Sequence, residues 1–170
     1  MTEIALILPN IRSTYNVGSI FRSAEVFGVK EIIICGYTPY PKLDNDTRIP
    51  HLANKIDKQI SKTALGAEKL VPFTYFTETE DAIIYSLKNH YRPVALEQHS
   101  NSIALNNYQP KGKLAFVIGE EVDGLPVNVL QKCEEVIEIP QLGTKESLNV
   151  ASAVAILLYD ISIGKKNENY

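Results

Sequence analysis

The chain has 170 residues and an ordinary globular composition, with 45% hydrophobic and 22% charged residues. One domain of this length can bury an adequate core without disulfides, and the composition excludes a disordered or fibrous protein. The net charge of −3 gives the chain as a whole no attraction for nucleic acid, so any RNA must find a local basic surface.

The apolar stretches at the two ends of the chain predict neither export nor a membrane span. The N-terminal stretch ends at Pro9 and has an acidic residue where a signal peptide has basic ones. The C-terminal run, 150–163, is interrupted by polar residues and is shorter than a bilayer requires. We therefore expect a cytoplasmic protein in which Cys35 and Cys133 are reduced, structural thiols.

Six apolar runs predict six β-strands, and the segments between them have helical spacing. The runs are IALIL (4–8), EIIIC (31–35), PFTYF (72–76), RPVALE (92–97), KLAFVIG (113–119) and EVIEIP (135–140). This alternation predicts an α/β fold with a mostly parallel sheet and helices on both faces. Because no repeat or linker interrupts it, residues 1–170 are expected to form a single domain.

Five helices are predicted, together with one long loop. The expected helices are Asn16 to Phe27, part of 52–68, Glu80 to about His90, a short one after Pro126, and Ser147 to Ile163. The segment 36–51 has three prolines and no periodicity, which predicts a functional loop. The last helix is apolar nearly all round, so it must be buried on more than one side, as in a dimer interface.

Three stretches at strand ends carry the polar and glycine residues typical of a ligand site. They are NIRSTYNVGSIFRSAEVFGV (10–29), FVIGEEVDGLP (116–126) and IPQLGTKESLNVASAVAILLYD (139–160). Ligands of open α/β sheets bind beyond the carboxyl ends of the strands. We therefore expect the three stretches to converge on one site.

The first stretch places amide and guanidinium groups at a strand-to-helix turn, where an anion can bind. These groups belong to Asn10, Arg12, Asn16 and Arg22. Gly18 is expected to let the backbone approach the ligand closely. In the alternative interpretation, Asn16 is a helix N-cap and Arg22 is a solvated or ion-paired arginine.

The other two stretches also have simpler structural alternatives. Glu120, Glu121 and Asp123 follow a strand, but their spacing fits no EF-hand and no histidine is near, so no metal site is predicted. The flanking glycines favour close approach of the backbone to a ligand, although an ordinary turn could have the same sequence. Ser147 could simply cap the last helix. The sequence contains no Walker A, GxGxxG or GxSxG motif.

Taken in this order, the three stretches resemble the three motifs of the SpoU (TrmH-like) family in the SPOUT superfamily of methyltransferases. The matching residues are Asn10, Arg12, Asn16, Gly18, Arg22 and Ala24, then Gly119, Glu121, Gly124 and Leu125, then Ile139, Pro140, Ser147, Leu148, Asn149, Val150 and Ala153. The segment KTALGAE (62–68) is also similar to family members. The resemblance implies a deep trefoil knot over about 115–160 and a homodimer with a shared active site.

The resemblance further implies an S-adenosylmethionine-dependent RNA 2′-O-ribose methyltransferase that needs no metal. The implied catalytic residues are Arg22, Asn16, Glu121, Ser147 and Asn149. The implied cofactor-binding residues are Val117, Ile118, Gly119, Glu120, Gly124, Ile139, Pro140 and Leu148. Because a guanidinium stays protonated, we expect Arg22 to hold a phosphate and stabilise developing alkoxide charge.

The substrate implied is RNA, with tRNA favoured over ribosomal RNA. The residues expected to contact it are Asn10, Arg12, Lys42 and Arg48, doubled by dimerisation or assisted by a helper protein. Relatives often have Asn in place of Glu120 and a small residue in place of Val122, and an extra carboxylate would repel phosphate. The alternative function is therefore a non-catalytic SPOUT-like RNA-binding or assembly module.

Overall fold

The computed structural model describes residues 2–119, 124–145 and 147–164. Within these ranges seven strands form one sheet in which every pairing is parallel, in the order β3-β2-β1-β6-β4-β7-β5. The strands are β1 Glu3–Pro9, β2 Glu31–Cys35, β3 Phe73–Phe76, β4 Arg92–Leu96, β5 Ile103–Ala104, β6 Lys113–Ile118 and β7 Glu135–Glu138. The predicted α/β class is confirmed. The prediction of six strands missed β5, whose two residues are too short to form an apolar run.

Helices cover both faces of this sheet, as predicted. They are α1 Thr14–Val26, α2 Pro50–Ala64, α3 Thr79–Lys88, α4 Val127–Leu130 and α5 Val150–Ser162. Helices α1, α2 and α5 contribute Phe21, Ile60 and Leu157 to the core on one face. Helices α3 and α4 contribute Ile83 and Val129 to the core on the other. None of the helices in the described ranges has the length and apolarity needed to cross a membrane.

The strand order brings the carboxyl ends of β4, β6 and β7 side by side. After β3 at one edge the chain returns to β4 on the far side of β1, and β6 then enters between β1 and β4. Leu96, the last residue of β4, is in register with both Ile118 of β6 and Ile137 of β7. The trefoil knot implied by the family resemblance stays a prediction.

Both proposed helix caps were wrong. Helix α1 begins two residues before Asn16, and its N-cap is Ser13, whose side chain accepts a hydrogen bond from the Asn16 backbone N–H at 3.3 Å. Helix α5 begins at Val150 and not at Ser147, with Asn149 as its N-cap. Since a neighbour performs the capping in each case, the side chains of Asn16 and Ser147 are not needed for it.

The long loop is shorter than predicted, because α2 begins at Pro50, a favoured first residue of helices. The loop folds around Arg48. This guanidinium donates to the Asp46 carboxylate and to the carbonyl oxygens of Tyr40 and Pro41, and it lies 3.7 Å from the centre of the Tyr40 ring. The contact with Arg48 holds the pKa of Asp46 well below its usual range. Arg48 therefore orders the loop, whatever its part in RNA binding.

Candidate active site

A pocket lies beyond the carboxyl ends of β4, β6 and β7, where the second and third stretches meet. Ile118 and Gly119 form one side of it, and Ile139 and Leu148 form another. These four residues were all predicted to bind the cofactor. The structure therefore confirms that the two stretches converge.

The loop after β4, which carried no prediction, supplies a third side of this pocket. Glu97 lies on the lining, and its carboxylate accepts hydrogen bonds from the backbone N–H groups of Gln98 and Leu125, both at 2.9 Å. A Cβ atom added to Gly119 or to Gly124 would press against the same carboxylate. The glycines of the second motif thus make room for a glutamate, and that glutamate fastens the loop containing Leu125 to the end of β4.

A hydrogen bond joins the first stretch to the third. The Asn149 side-chain oxygen caps α5 by accepting from the N–H groups of Ala151 and Ser152 at 3.0 and 3.2 Å. This leaves the Asn149 side-chain nitrogen to donate to the Asn16 side-chain oxygen at 3.1 Å. Capping thus fixes the direction of the amide. The asparagines of two separate motifs consequently hold α1 and α5 in one arrangement beside the pocket.

Arg22 lies on the exposed side of α1, where it follows Tyr15 and precedes Val26 on one helical stripe. It does not line the pocket of its own chain. Its guanidinium also makes no hydrogen bond or ion pair with any residue in the part of the chain that the structure describes. Both interpretations of Arg22 therefore stay predictions.

Gly18 has a different role from the one predicted. It is buried in the contact between α1 and α2, where an added Cβ would overlap the Ile60 carbonyl oxygen and the Thr63 hydroxyl. The close approach that this glycine permits is between two helices, and not between backbone and ligand. The expectation from its position in a ligand-binding motif was wrong because helix packing also requires small residues.

A family model described as the SpoU rRNA Methylase family matches residues 3–159 of the chain. The chain belongs to this family. The model covers the first two stretches and the third as far as residue 159, so the resemblance drawn from the motifs is confirmed.

Two curated bacterial proteins named as RNA methyltransferases are similar to most of this chain. A Staphylococcus aureus protein named for the TrmH family of tRNA/rRNA methyltransferases is 31% identical over 156 residues, which is 92% of this chain and 57% of that protein. The 23S rRNA (guanosine-2′-O-)-methyltransferase RlmB of Coxiella burnetii is 28% identical over 93% of this chain and 57% of its own length. The chain thus spans a little over half the length of these curated relatives.

A solved structure shares the fold and holds a ligand. The AdoMet-bound rRNA methyltransferase of Sinorhizobium meliloti is 26% identical and superimposes with a TM-score of 0.75 over 94% of this chain and 55% of its own. This likeness supports the SPOUT fold for the chain.

Other predicted site residues lie around the pocket or away from it. Val117 is fully buried within β6, and Pro140 lies in an apolar depression beside α5. The side-chain oxygen of Asn10 accepts from the Tyr37 backbone N–H at 3.2 Å, which ties the end of β1 to the loop after β2. Lys42 is exposed in that loop.

Arg12 is exposed three residues after the end of β1, and Ser147 lines the pocket. Glu120, Glu121 and Val122 lie outside the described residues. The roles proposed for all these residues stay predictions.

Neither thiol lines the pocket. Cys35 is fully buried in β2, and burial raises the pKa of Cys133 to about 11. A raised pKa keeps the thiol protonated and unreactive at neutral pH.

Among the described residues, no group of three or more His, Cys, Asp and Glu side chains is placed to hold a metal ion.

Proposed function

We propose that the chain transfers the methyl group of S-adenosylmethionine to a ribose 2′-hydroxyl of RNA, with tRNA ahead of ribosomal RNA. One observation carries the proposal. The second and third SpoU motifs form a single pocket, and the Asn16–Asn149 hydrogen bond places the first motif beside it. Family membership supplies the reaction class, and this geometry supports the proposal that the motifs act together at one site.

The lining of the pocket suits S-adenosylmethionine. Ile118, Ile139 and Leu148 provide apolar surface for an adenine ring, and the adjoining strand ends provide backbone groups for hydrogen bonds. Two carboxylates, Glu97 and Glu138, also line the pocket, and negative charge favours a cationic ligand. When bound, the cofactor supplies an electrophilic methyl group on a positive sulfonium, so the protein has mainly to align the ribose hydroxyl.

Arg22 is proposed to act on the RNA in the pocket of a second copy of the chain. It is exposed and does not line its own pocket, while α5 carries an exposed apolar stripe that includes Ile156 and Tyr159. A homodimer would cover this stripe and make each site from two chains. Arg22 would then hold a phosphate and stabilise the negative charge that develops on the attacking oxygen.

Two measurements test the function. Isothermal calorimetry with S-adenosylhomocysteine should show binding, since this product occupies the same pocket as the cofactor. Labelled methyl transfer to tRNA and ribosomal RNA from cells lacking the gene, followed by nucleoside mass spectrometry, should yield a 2′-O-methylated nucleoside. If the protein binds RNA but neither binds S-adenosylhomocysteine nor transfers methyl groups, it is instead a non-catalytic RNA-binding module.

Substitution of the proposed catalytic arginine separates catalysis from cofactor binding. Arg22→Ala should lower kcat by about 10²-fold or more, the usual cost of removing a group that stabilises developing charge. Its affinity for S-adenosylhomocysteine should not change, because Arg22 is proposed to contact the RNA and not the cofactor. Glu25→Ala, an exposed change on the same helix, is the matched control and should keep full activity. Unchanged turnover in Arg22→Ala would refute the role.

A further inference from the structure

One side of α2 carries basic and amide groups, and we name His51, Lys55, Lys58 and Lys62 the lysine face. These residues recur every three or four positions, so they share one side of the helix, opposite the buried Ile60. All four are exposed. Together with two neighbouring amide side chains they line a groove of about 520 Å³ on the surface of the protein.

Nothing in the described part of the chain neutralises the lysine face. None of its three lysines makes an ion pair there. The one acidic residue of α2, Asp57, accepts a hydrogen bond from the Lys42 backbone N–H at 2.9 Å and lies off the face. Lys58 and Lys62, four residues apart, form a like-charge pair that costs the helix about 0.2–0.5 kcal/mol. Lys62 lies in the last turn, where the helix dipole favours a cation, but this does not account for Lys55 and Lys58 in a chain of net charge −3.

The lysine face adjoins the first SpoU motif. The Thr14 hydroxyl donates to the side-chain oxygen of Gln59, which lines the groove, at 3.4 Å. The Thr63 hydroxyl donates to the Tyr15 carbonyl oxygen at 2.8 Å. Thr14 and Tyr15 immediately precede Asn16. An RNA strand bound along the lysine face would therefore lead directly to the first turn of α1, which contains Asn16.

We propose that the lysine face binds the phosphate backbone of the RNA substrate beside the site of methylation, an inference that rests on the proposed function. The pocket is lined by Glu97 and Glu138, which repel phosphates, so the backbone must be held by basic groups outside it. Lysines bind phosphates as point charges without reading sequence. A protein partner fits the face less well, because lysine is depleted in protein–protein interfaces.

The test compares two triple variants that remove equal charge. Lys55→Gln/Lys58→Gln/Lys62→Gln removes the charge of the lysine face. The control is Lys30→Gln/Lys88→Gln/Lys111→Gln. It changes three exposed lysines that precede β2, β4 and β6, near the amino ends of these strands and away from the pocket at their carboxyl ends. The probe is bulk tRNA from cells lacking the gene. Its Kd is measured at several salt concentrations between about 50 and 200 mM, together with KM, kcat and the affinity for S-adenosylhomocysteine.

Loss of three phosphate contacts should make the slope of log Kd against log salt shallower by about 2. The KM for tRNA should rise about tenfold or more, with kcat at saturating tRNA and the affinity for S-adenosylhomocysteine unchanged, as general loss of structure would not produce. The control variant should behave as wild type. If wild type methylates tRNA and the two variants have its slope and KM, the lysine face is refuted as an RNA site and a protein partner becomes its occupant. A wild-type protein that binds tRNA without methylating it contradicts the assignment of tRNA as the substrate, while the same slope still decides the role of the lysine face.

Discussion

Glu97 lies outside the three motifs, yet its side chain holds two segments of the pocket together. The glutamate directly follows β4, and in the sequence it reads as the last letter of the apolar run RPVALE. In the structure its carboxylate satisfies two backbone N–H groups, of which that of Leu125 is 28 positions away along the chain. Local periodicity contains no information on such a contact, so sequence reasoning missed this residue.

Glu97→Gln should weaken cofactor binding. The amide keeps the size of the carboxylate but replaces one acceptor oxygen with a donor, which then faces a backbone N–H. Hydrogen bonds to charged groups contribute about 1.5–3 kcal/mol. Because Glu97 holds one side of the pocket in place, loss of this energy should lower the affinity for S-adenosylhomocysteine about tenfold or more. Glu134→Gln, in an exposed ion pair with Arg92, is the matched control. Equal affinities of the two variants in calorimetry would contradict the role of Glu97.

The pairing of Asp46 with Arg48 predicts a pH-dependent contribution to stability. Because the folded-state pKa of Asp46 is lowered, the contribution is full above the unfolded pKa and is lost as the pH falls. Asp46→Asn should therefore be about 1–3 kcal/mol less stable than wild type at pH 7, and the difference should narrow below about pH 4. Asp44→Asn, an exposed change in the same loop, serves as control. A stability difference that stays constant on acidification in urea-unfolding measurements would be inconsistent with the ion pair.

At the level of elements, contact between α1 and α2 determines the role of Gly18. Helix propensity alone makes Gly18→Ala stabilising by about 1 kcal/mol. Because the new methyl group would overlap the Ile60 carbonyl and the Thr63 hydroxyl, we expect instead a net loss of about 1–3 kcal/mol in the free energy of unfolding. Gly143→Ala, at a glycine with open space around it, should change stability by less than about 0.5 kcal/mol. A variant at Gly18 as stable as wild type would show that the helices can separate at little cost.

Strands and helices could be predicted where buried residues recur regularly. Predictions of helix caps and of individual side-chain roles were wrong where they depend on contacts between distant parts of the chain. Strands such as β1 are buried on both faces and so give continuous apolar runs. The cap of α5 was misassigned because Ser147 and Asn149 are both good caps, and only the fold shows which one meets the first turn. The convergence of the second and third stretches was correctly expected, since parallel strands end on one side of a sheet, whereas the first stretch reaches them only through the hydrogen bond between Asn16 and Asn149. Sequence analysis did not identify the lysine face, because its position beside the first motif depends on the contacts of α2 with Thr14 and Tyr15.

At the scale of the whole molecule, a single chain leaves apolar surface of α5 exposed to solvent. Ile156 and Tyr159, respectively 42% and 58% exposed, lie on an apolar stripe, and Leu142 is fully exposed beside them. Large exposed apolar patches indicate interaction sites. The last helix was predicted to be buried on more than one side, and one chain buries only its inner side. A second copy of the chain is the proposed occupant of the outer side.

If each site takes Arg22 from the partner chain, two inactive variants should restore activity when mixed. Arg22→Ala has an intact pocket, whereas Gly119→Val fills the space of the Glu97 carboxylate and should lose S-adenosylhomocysteine binding. In a mixed dimer, the intact pocket of one chain meets the intact arginine of the other. Random exchange of equal amounts makes half the dimers mixed with one good site each, so methyl transfer should recover to about a quarter of the wild-type rate. The masses of all species are checked by light scattering. A mixture that exchanges subunits but stays inactive would show that Arg22 acts in the pocket of its own chain. The exposed position of Arg22 on α1 argues against that result.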